Sequence, residues 1–284
     1  MNLRLLTATT ALALSTVAFA DSQFDRTLNV SSQPDLYVAT GSGNIHIHPG
    51  NDTQIHIVGH VHAGWGGFGD VTGRVQRIVS NPPIQQDGNT VKIGAVTDHD
   101  LFNNITIDYD IAAPAGVALN LKSGSGDIET DHLGRYLTAS SGSGNILAHG
   151  VRGAGDLNTG SGEIEFDQEA AGDIKARSGS GGIRIHGFNG TLIARTGSGD
   201  VEADGRLTGP ANLSSGSGNI HLRLDANTHF NLEASTGSGD MRVRFPGAPQ
   251  QDDHSRHHLT APINGGGPAL EVRTGSGDIE VASR

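Results

Sequence analysis

The stretch Ser123-Gly124-Ser125-Gly126-Asp127-Ile128 returns eighteen residues later as Ser141-Gly142-Ser143-Gly144-Asn145-Ile146. Gly-Ser-Gly begins at Gly41, Gly124, Gly142, Gly160, Gly179, Gly197, Gly216, Gly237 and Gly275. From the second copy onward the spacings are 18, 18, 19, 18, 19, 21 and 38. A flexible linker has no reason to keep such a period, whereas stacked repeats do.

The flanks of the motif carry strand patterns. Just before it sits Thr or Ser: Thr40, Ser123, Ser141, Thr159, Ser178, Thr196, Ser215, Thr236 and Thr274. Small or branched apolar residues precede at period two, as in Leu119, Leu121 and Ser123, which is one buried strand face. After the motif, Ile128, Ile146, Ile164 and Ile183 restart the alternation on the opposite parity. The ladder therefore bends at the motif, and glycine supplies a backbone that permits it. Each repeat reads as strand, glycine corner, strand and a looser second corner. Stacking places Ile on Ile, with each buried Ile or Leu contributing about 1.5–3 kcal/mol. The inward Ser and Thr need partners, and a stacked hydroxyl ladder is the expected supply. We read an all-β, single-chain β-solenoid of about ten coils. An antiparallel meander with Gly-Ser-Gly as hairpin turn is the alternative.

Composition agrees. Of 284 residues 42 are glycine, aromatics are few (Phe 8, Tyr 3, Trp 1) and cysteine is absent. Disulfides, thiolate metal sites and cysteine nucleophiles are excluded. There is no Gly-X-Y period, which excludes collagen. The net charge of −11 without a basic run argues against nucleic acid and is ordinarily a matter of solubility.

Met1–Ala20 reads as a signal peptide: Arg4, an apolar run from Leu5 to Val17, then Ala18-Phe19-Ala20 before Asp21. No cysteine follows to carry a lipid, and no later segment is apolar enough to span a bilayer. The expected mature chain is a single solenoid domain, 21–284. Residues 21–123 form an irregular N-terminal part with a short helix at about 71–80. Asp70 can cap that helix, and Val71, Val75 and Ile78 share its apolar face. The glycine loop beside it, from Gly64 to Gly69, carries Trp65. Residues 124–245 hold the regular repeats, 246–268 a polar surface loop, and 269–284 the last repeat.

The run Thr274-Gly275-Ser276-Gly277-Asp278-Ile279-Glu280-Val281, its eight relatives and Gly265-Gly266-Gly267-Pro268 resemble the bacterial “putative adhesin” family. The resemblance covers Leu36 to Val281. It implies an exported β-strand-repeat domain of unknown function, and no catalytic residues to carry over.

The residues offer three chemistries to consider: calcium, transition metal and catalysis. The residue after each motif is Asn44, Asp127, Asn145, Glu163, Gly182, Asp200, Asn219, Asp240 or Asp278. Such an oxygen-rich ladder is a candidate for Ca²⁺, although Asp and Asn also serve corners by bonding nearby backbone. His46, His48 and His56 point outward on strands, with His60 and His62 close behind, a candidate face for zinc or copper. A solvated strand face is the ordinary reading, and His254, His257 and His258 read as loop. Nothing matches Gly-x-Ser-x-Gly, a P-loop or His-Glu-x-x-His.

The expectation is therefore a non-enzyme with no catalytic, cofactor or metal residues assigned. It presents a binding or structural surface in the bacterial envelope or outside it, to an unknown surface glycan or envelope protein. A carbohydrate-active enzyme on a β-helix and a scaffold pairing through an exposed strand edge are the alternatives.

Overall fold

A computed structural model describes residues 22–64, 70–94, 101–249 and 257–284. The chain is an all-β solenoid built on two long ladders that meet at the Gly-Ser-Gly corners.

The first ladder holds the strands that precede the corner. Its spatial order is β5 (Ile84–Asp87), β6 (Thr90–Ile93), β2 (Asp35–Thr40), β8 (Ala118–Ser123), β10 (Tyr136–Ser141), β12 (Ala154–Thr159) and β14 (Ile174–Ser178). There follow the end of β15 (Ile183–Thr196), the end of β16 (Val201–Ser215), β21 (Ala269–Ser276), β18 (Phe230–Ser238) and β20 (His258–Ile263).

The second ladder holds the strands that follow the corner. It runs β1 (Ser22–Asn29), β4 (Gln54–Ala63), β7 (Ile105–Ala113), β3 (Ile45–Pro49), β9 (Ile128–Asp131), β11 (Ile146–Val151) and β13 (Ile164–Gln168). It continues through the starts of β15 and β16 to β17 (Ile220–Leu224), β22 (Ile279–Ser283) and β19 (Met241–Arg244).

From β6 to β18 and from β7 to β19 every neighbour is parallel, ten rungs in each ladder. At about 4.8 Å per rung the stack is roughly 48 Å long. Antiparallel pairing is confined to the two ends, so the solenoid holds and the meander does not.

Spatial order departs from chain order at both ends. β3 lies between β7 and β9, and β22 lies between β17 and β19. The last repeat is thus inserted under the one before it.

The core is the stack of inward Ile, Leu, Val and Ala, thickened by Phe166, Phe188 and Phe230. The inward row changes parity at the corner, Ser123 and Gly126 being buried while Gly124 and Ser125 are exposed. The reason for the glycines is corrected, however. Among the eighteen motif glycines only Gly239 has a left-handed φ. What excludes a side chain is the coil underneath: a Cβ on Gly144 would lie 2.1 Å from the Gly126 carbonyl oxygen. The left-handed glycines sit at the second corner, at Gly134, Gly150 and Gly187.

The hydroxyl ladder is also corrected. Ser141 Oγ donates to the Gly126 carbonyl at 3.1 Å and accepts from the Gly144 N–H at 2.9 Å. Ser123, Thr159, Ser178, Thr196 and Ser215 repeat that bridge. Each hydroxyl ties a backbone carbonyl of one coil to a backbone N–H of the next, because the corner leaves both without a ladder partner.

Helix α1 (Val71–Ser80) stands where expected, with Asp70 accepting from the Gly73 N–H and Val75 and Ile78 buried. It packs on β4 and β1. Residues 246–268 are not wholly a polar loop: Leu259, Ala261 and Ile263 are buried in β20, which pairs antiparallel with β18. No helix among the described residues is long and apolar enough to cross a membrane. Met1–Ala20, Trp65 and His254 lie outside the described residues.

Candidate functional site: the charged face of the second ladder

Each strand of the second ladder sends two side chains outward. In spatial order the first row is Asp110, His46, Glu129, Leu147, Glu165, Arg184, Glu202, His221, Glu280 and Arg242. The second row contains His48, Asp131, His149, Asp167, His186, Asp204 and Arg223, and it ends on Arg244. None of these side chains is buried.

The rungs alternate. β7, β9, β13, β16 and β22 present carboxylates, and β3, β11, β15, β17 and β19 present His or Arg. Opposite charges on adjacent strands contribute about 0.2–1 kcal/mol per pair, and like charges cost as much. The alternation is realised in contacts: His149 Nδ1–Asp167 Oδ2 at 2.8 Å, His186 Nδ1–Asp204 Oδ1 at 2.7 Å and His46 Nε2–Asp131 Oδ2 at 3.1 Å. The hydrogen bond to Asp167 raises the His149 pKa above its ordinary value, against the opposing effect of burial. A small depression over β15–β17 is lined by His186, Glu202, Ala203, Asp204, His221 and Arg223.

The histidines singled out in the sequence fall on this face but do not converge. His46 and His48 sit together on β3, ring centroids 5.4 Å apart. His56 stands on β4, on the far side of β7, where its Nε2 meets Asp25 Oδ1 at 2.8 Å. His48 meets Asp110 at 3.1 Å, and His62 meets Asp108 at 3.0 Å. His258 opens β20, away from this ladder.

The Asn/Asp column runs along the corner. Asn44 Oδ1 accepts from the Asp127 N–H, Asp127 Oδ1 from Asn145, and Asn145 Oδ1 from Glu163. Asp200 Oδ1 accepts from Asn219, Asn219 from Asp278, and Asp278 from Asp240. On each of these six rungs one carboxylate or amide oxygen is thus spent on backbone, whereas the Glu163 carboxylate accepts from Arg184 instead.

What the sequence reading missed is Glu129/Asp131, Glu165/Asp167 and Glu202/Asp204 with His149 and His186 between them. The signal was present. Counted seven residues from the first motif glycine, the column reads His48, Asp131, His149, Asp167, His186, Asp204 and Arg223.

A second, apolar feature is a cavity of about 280 Å³ near the N-terminal end, lined by Thr40, Phe102, Ile105, Ile107 and Tyr109 among others. Burial pushes the Tyr109 phenol above its ordinary pKa.

The fold and this face define a parallel β-solenoid with a charge-alternating outer sheet. The chain belongs to the Toastrack DUF4097 family, whose model matches residues 35–282 and whose function is unknown. Among solved structures it is similar to a “putative cell adhesion protein” from Clostridium sporogenes (11% identity, TM-score 0.26), covering 92% of this chain and 100% of that one. It is also similar to a “putative adhesin” from Bacteroides fragilis (14%, TM-score 0.24), covering 92% and 97%. A “putative adhesin” from Parabacteroides distasonis gives 13% and a TM-score of 0.36, covering 92% and 98%. No curated protein matches the chain.

Proposed function

We propose that the chain is an exported, non-catalytic β-repeat protein of the bacterial cell envelope or exterior that serves as a binding or structural surface. The observation that carries this reading is the outer face of the second ladder. Its charges are spread evenly over ten rungs and paired between neighbouring rungs, rather than gathered around a cleft. A stiff, periodic, polar surface suits extended contact with a glycan or an envelope protein.

Export is supported by the charged start, apolar run and Ala-Phe-Ala site of Met1–Ala20. Pairing through a strand edge is less well supported. The outer edge strand β19 is four residues long and carries Arg242 and Arg244, features that blunt an edge against pairing.

The test has two arms. Fractionation of cells expressing the full chain should recover it outside the cytoplasm, shortened by its leader. A pull-down with the mature chain against envelope glycans and proteins should enrich a partner, and Glu202→Arg with Asp204→Arg should reduce it. Retention in the cytoplasm, or enrichment of no partner, would overturn the reading.

A further inference from the structure

We propose that His149, Glu165 and Asp167 bind a divalent first-row transition cation. One ligand atom from each residue lies within 4.8 Å of the others. β11 supplies the imidazole and β13 the two carboxylates, which share one face because they are two residues apart on a strand. Between them Phe166 is fully buried, so the backbone that carries both carboxylates is anchored in the core.

Two details point to a missing partner. Asp167 uses Oδ2 for His149, while its Oδ1 is buried and without a hydrogen bond among the described residues. Glu165 lies beside Arg184 in register, yet Arg184 Nη1 turns to Glu163 Oε2 at 2.9 Å. With neutral imidazole the set carries two negative charges, matching a divalent ion.

One nitrogen and two carboxylates suit Zn²⁺ or Mn²⁺. Three protein ligands including an imidazole fall short of the six to eight oxygens that Ca²⁺ takes. The same donor set recurs two rungs away as His46, Glu129 and Asp131. The fold thus repeats the site at about 9.6 Å, twice the rung spacing.

Isothermal titration of the mature chain with Zn²⁺ near neutral pH tests this. Two equivalents should bind, and Glu165→Gln should remove one or weaken it at least about tenfold. Among the described residues Glu165 makes no side-chain hydrogen bond or close ion pair, and only longer-range attraction to His149 and Arg184, so the variant should melt within about 1 kcal/mol of the parent. Asp167→Asn is the second variant and should lose the same equivalent. Failure of the parent to bind Zn²⁺ would overturn the site. So would an isotherm unchanged by either variant, or binding of Ca²⁺ in preference to Zn²⁺.

Discussion

Arg244 Nη1 donates to Glu280 Oε1 at 3.0 Å, although the two residues are thirty-six apart in the chain. They meet because β22 lies between β17 and β19. In chain order β17, with His221 and Arg223, would stack directly on β19, with Arg242 and Arg244. Inserting Glu280 separates the two cationic rungs, and its Oε2 also faces His221 Nδ1 at 3.6 Å. At the other end β3, with His46 and His48, separates the acidic rungs β7 and β9. Both departures from chain order have the same electrostatic result.

Reversing that charge should therefore cost more than removing it. Glu280→Gln forfeits exposed pairs worth at most about 1 kcal/mol. Glu280→Arg adds like-charge contacts on both sides and should cost about another 1 kcal/mol. Urea titration of both variants at low and high salt checks this, and the gap between them should narrow as salt rises.

Ser141→Ala removes the hydroxyl that joins the Gly126 carbonyl to the Gly144 N–H, and leaves both buried groups unpaired. The expected loss is about 1–3 kcal/mol. Ser141→Thr should be nearly neutral, since Thr159 and Thr196 do the same work in the same stack. Hydrogen exchange at the Gly144 amide should accelerate in the alanine variant alone.

Motif glycines differ in what a side chain would meet. At Gly144 an alanine Cβ would fall 2.1 Å from the Gly126 oxygen, so Gly144→Ala should cost more than about 3 kcal/mol or prevent folding. At Gly41 a Cβ meets nothing within 4 Å among the described residues, and Gly41→Ala should be neutral or slightly stabilising. Thermal melts of the pair separate crowding from conformational freedom as the reason for the glycines.

These particulars show where the sequence was legible. The eighteen-residue period and the parity change at each motif are local facts, and they suffice for the ladders, the corner and the buried rows. The stacking order at the ends is not local. Every repeat offers a buried aliphatic residue or Met241 after the corner and a Ser or Thr hydroxyl before it, so burial alone cannot say whether β22 follows β19 or slips beneath it. The column ending in His48, Asp131 and His149 holds that information as charge, readable only after the repeats are aligned. The His46, His48 and His56 grouping failed differently: β7 enters between β3 and β4 from sixty residues downstream.

His149 binds its proton more tightly in the folded chain than in the unfolded one, because Asp167 accepts its hydrogen bond. Its contribution to stability is therefore fully present below the unfolded imidazole value of about 6.5 and is lost as pH rises through the higher folded value. His149→Gln should lose more stability at about pH 5.5 than at about pH 8.5, measured by urea denaturation at both. A proton also competes with metal at this imidazole, so Zn²⁺ uptake should fall over the same interval as pH is lowered.

The corner column has one gap. Gly182 follows its motif where every other repeat has Asn, Asp or Glu, and so offers no side-chain oxygen to the Asp200 N–H on the next rung. Its backbone lies outside the left-handed region, and a Cβ there meets only the Asp200 oxygen at 3.5 Å, an ordinary contact. Gly182→Asn should therefore be accommodated without strain. Its Oδ1 would take the place that Asp200 Oδ1 holds toward Asn219, at 2.7 Å. The gain should combine lost unfolded-state freedom, about 0.4–1 kcal/mol, with a hydrogen bond worth about 0.5–1.5 kcal/mol. Gly182→Ala isolates the first contribution. If the asparagine variant is no more stable than the alanine variant, the column's oxygens do not tie coil to coil, and their role is confined to solvating the corner.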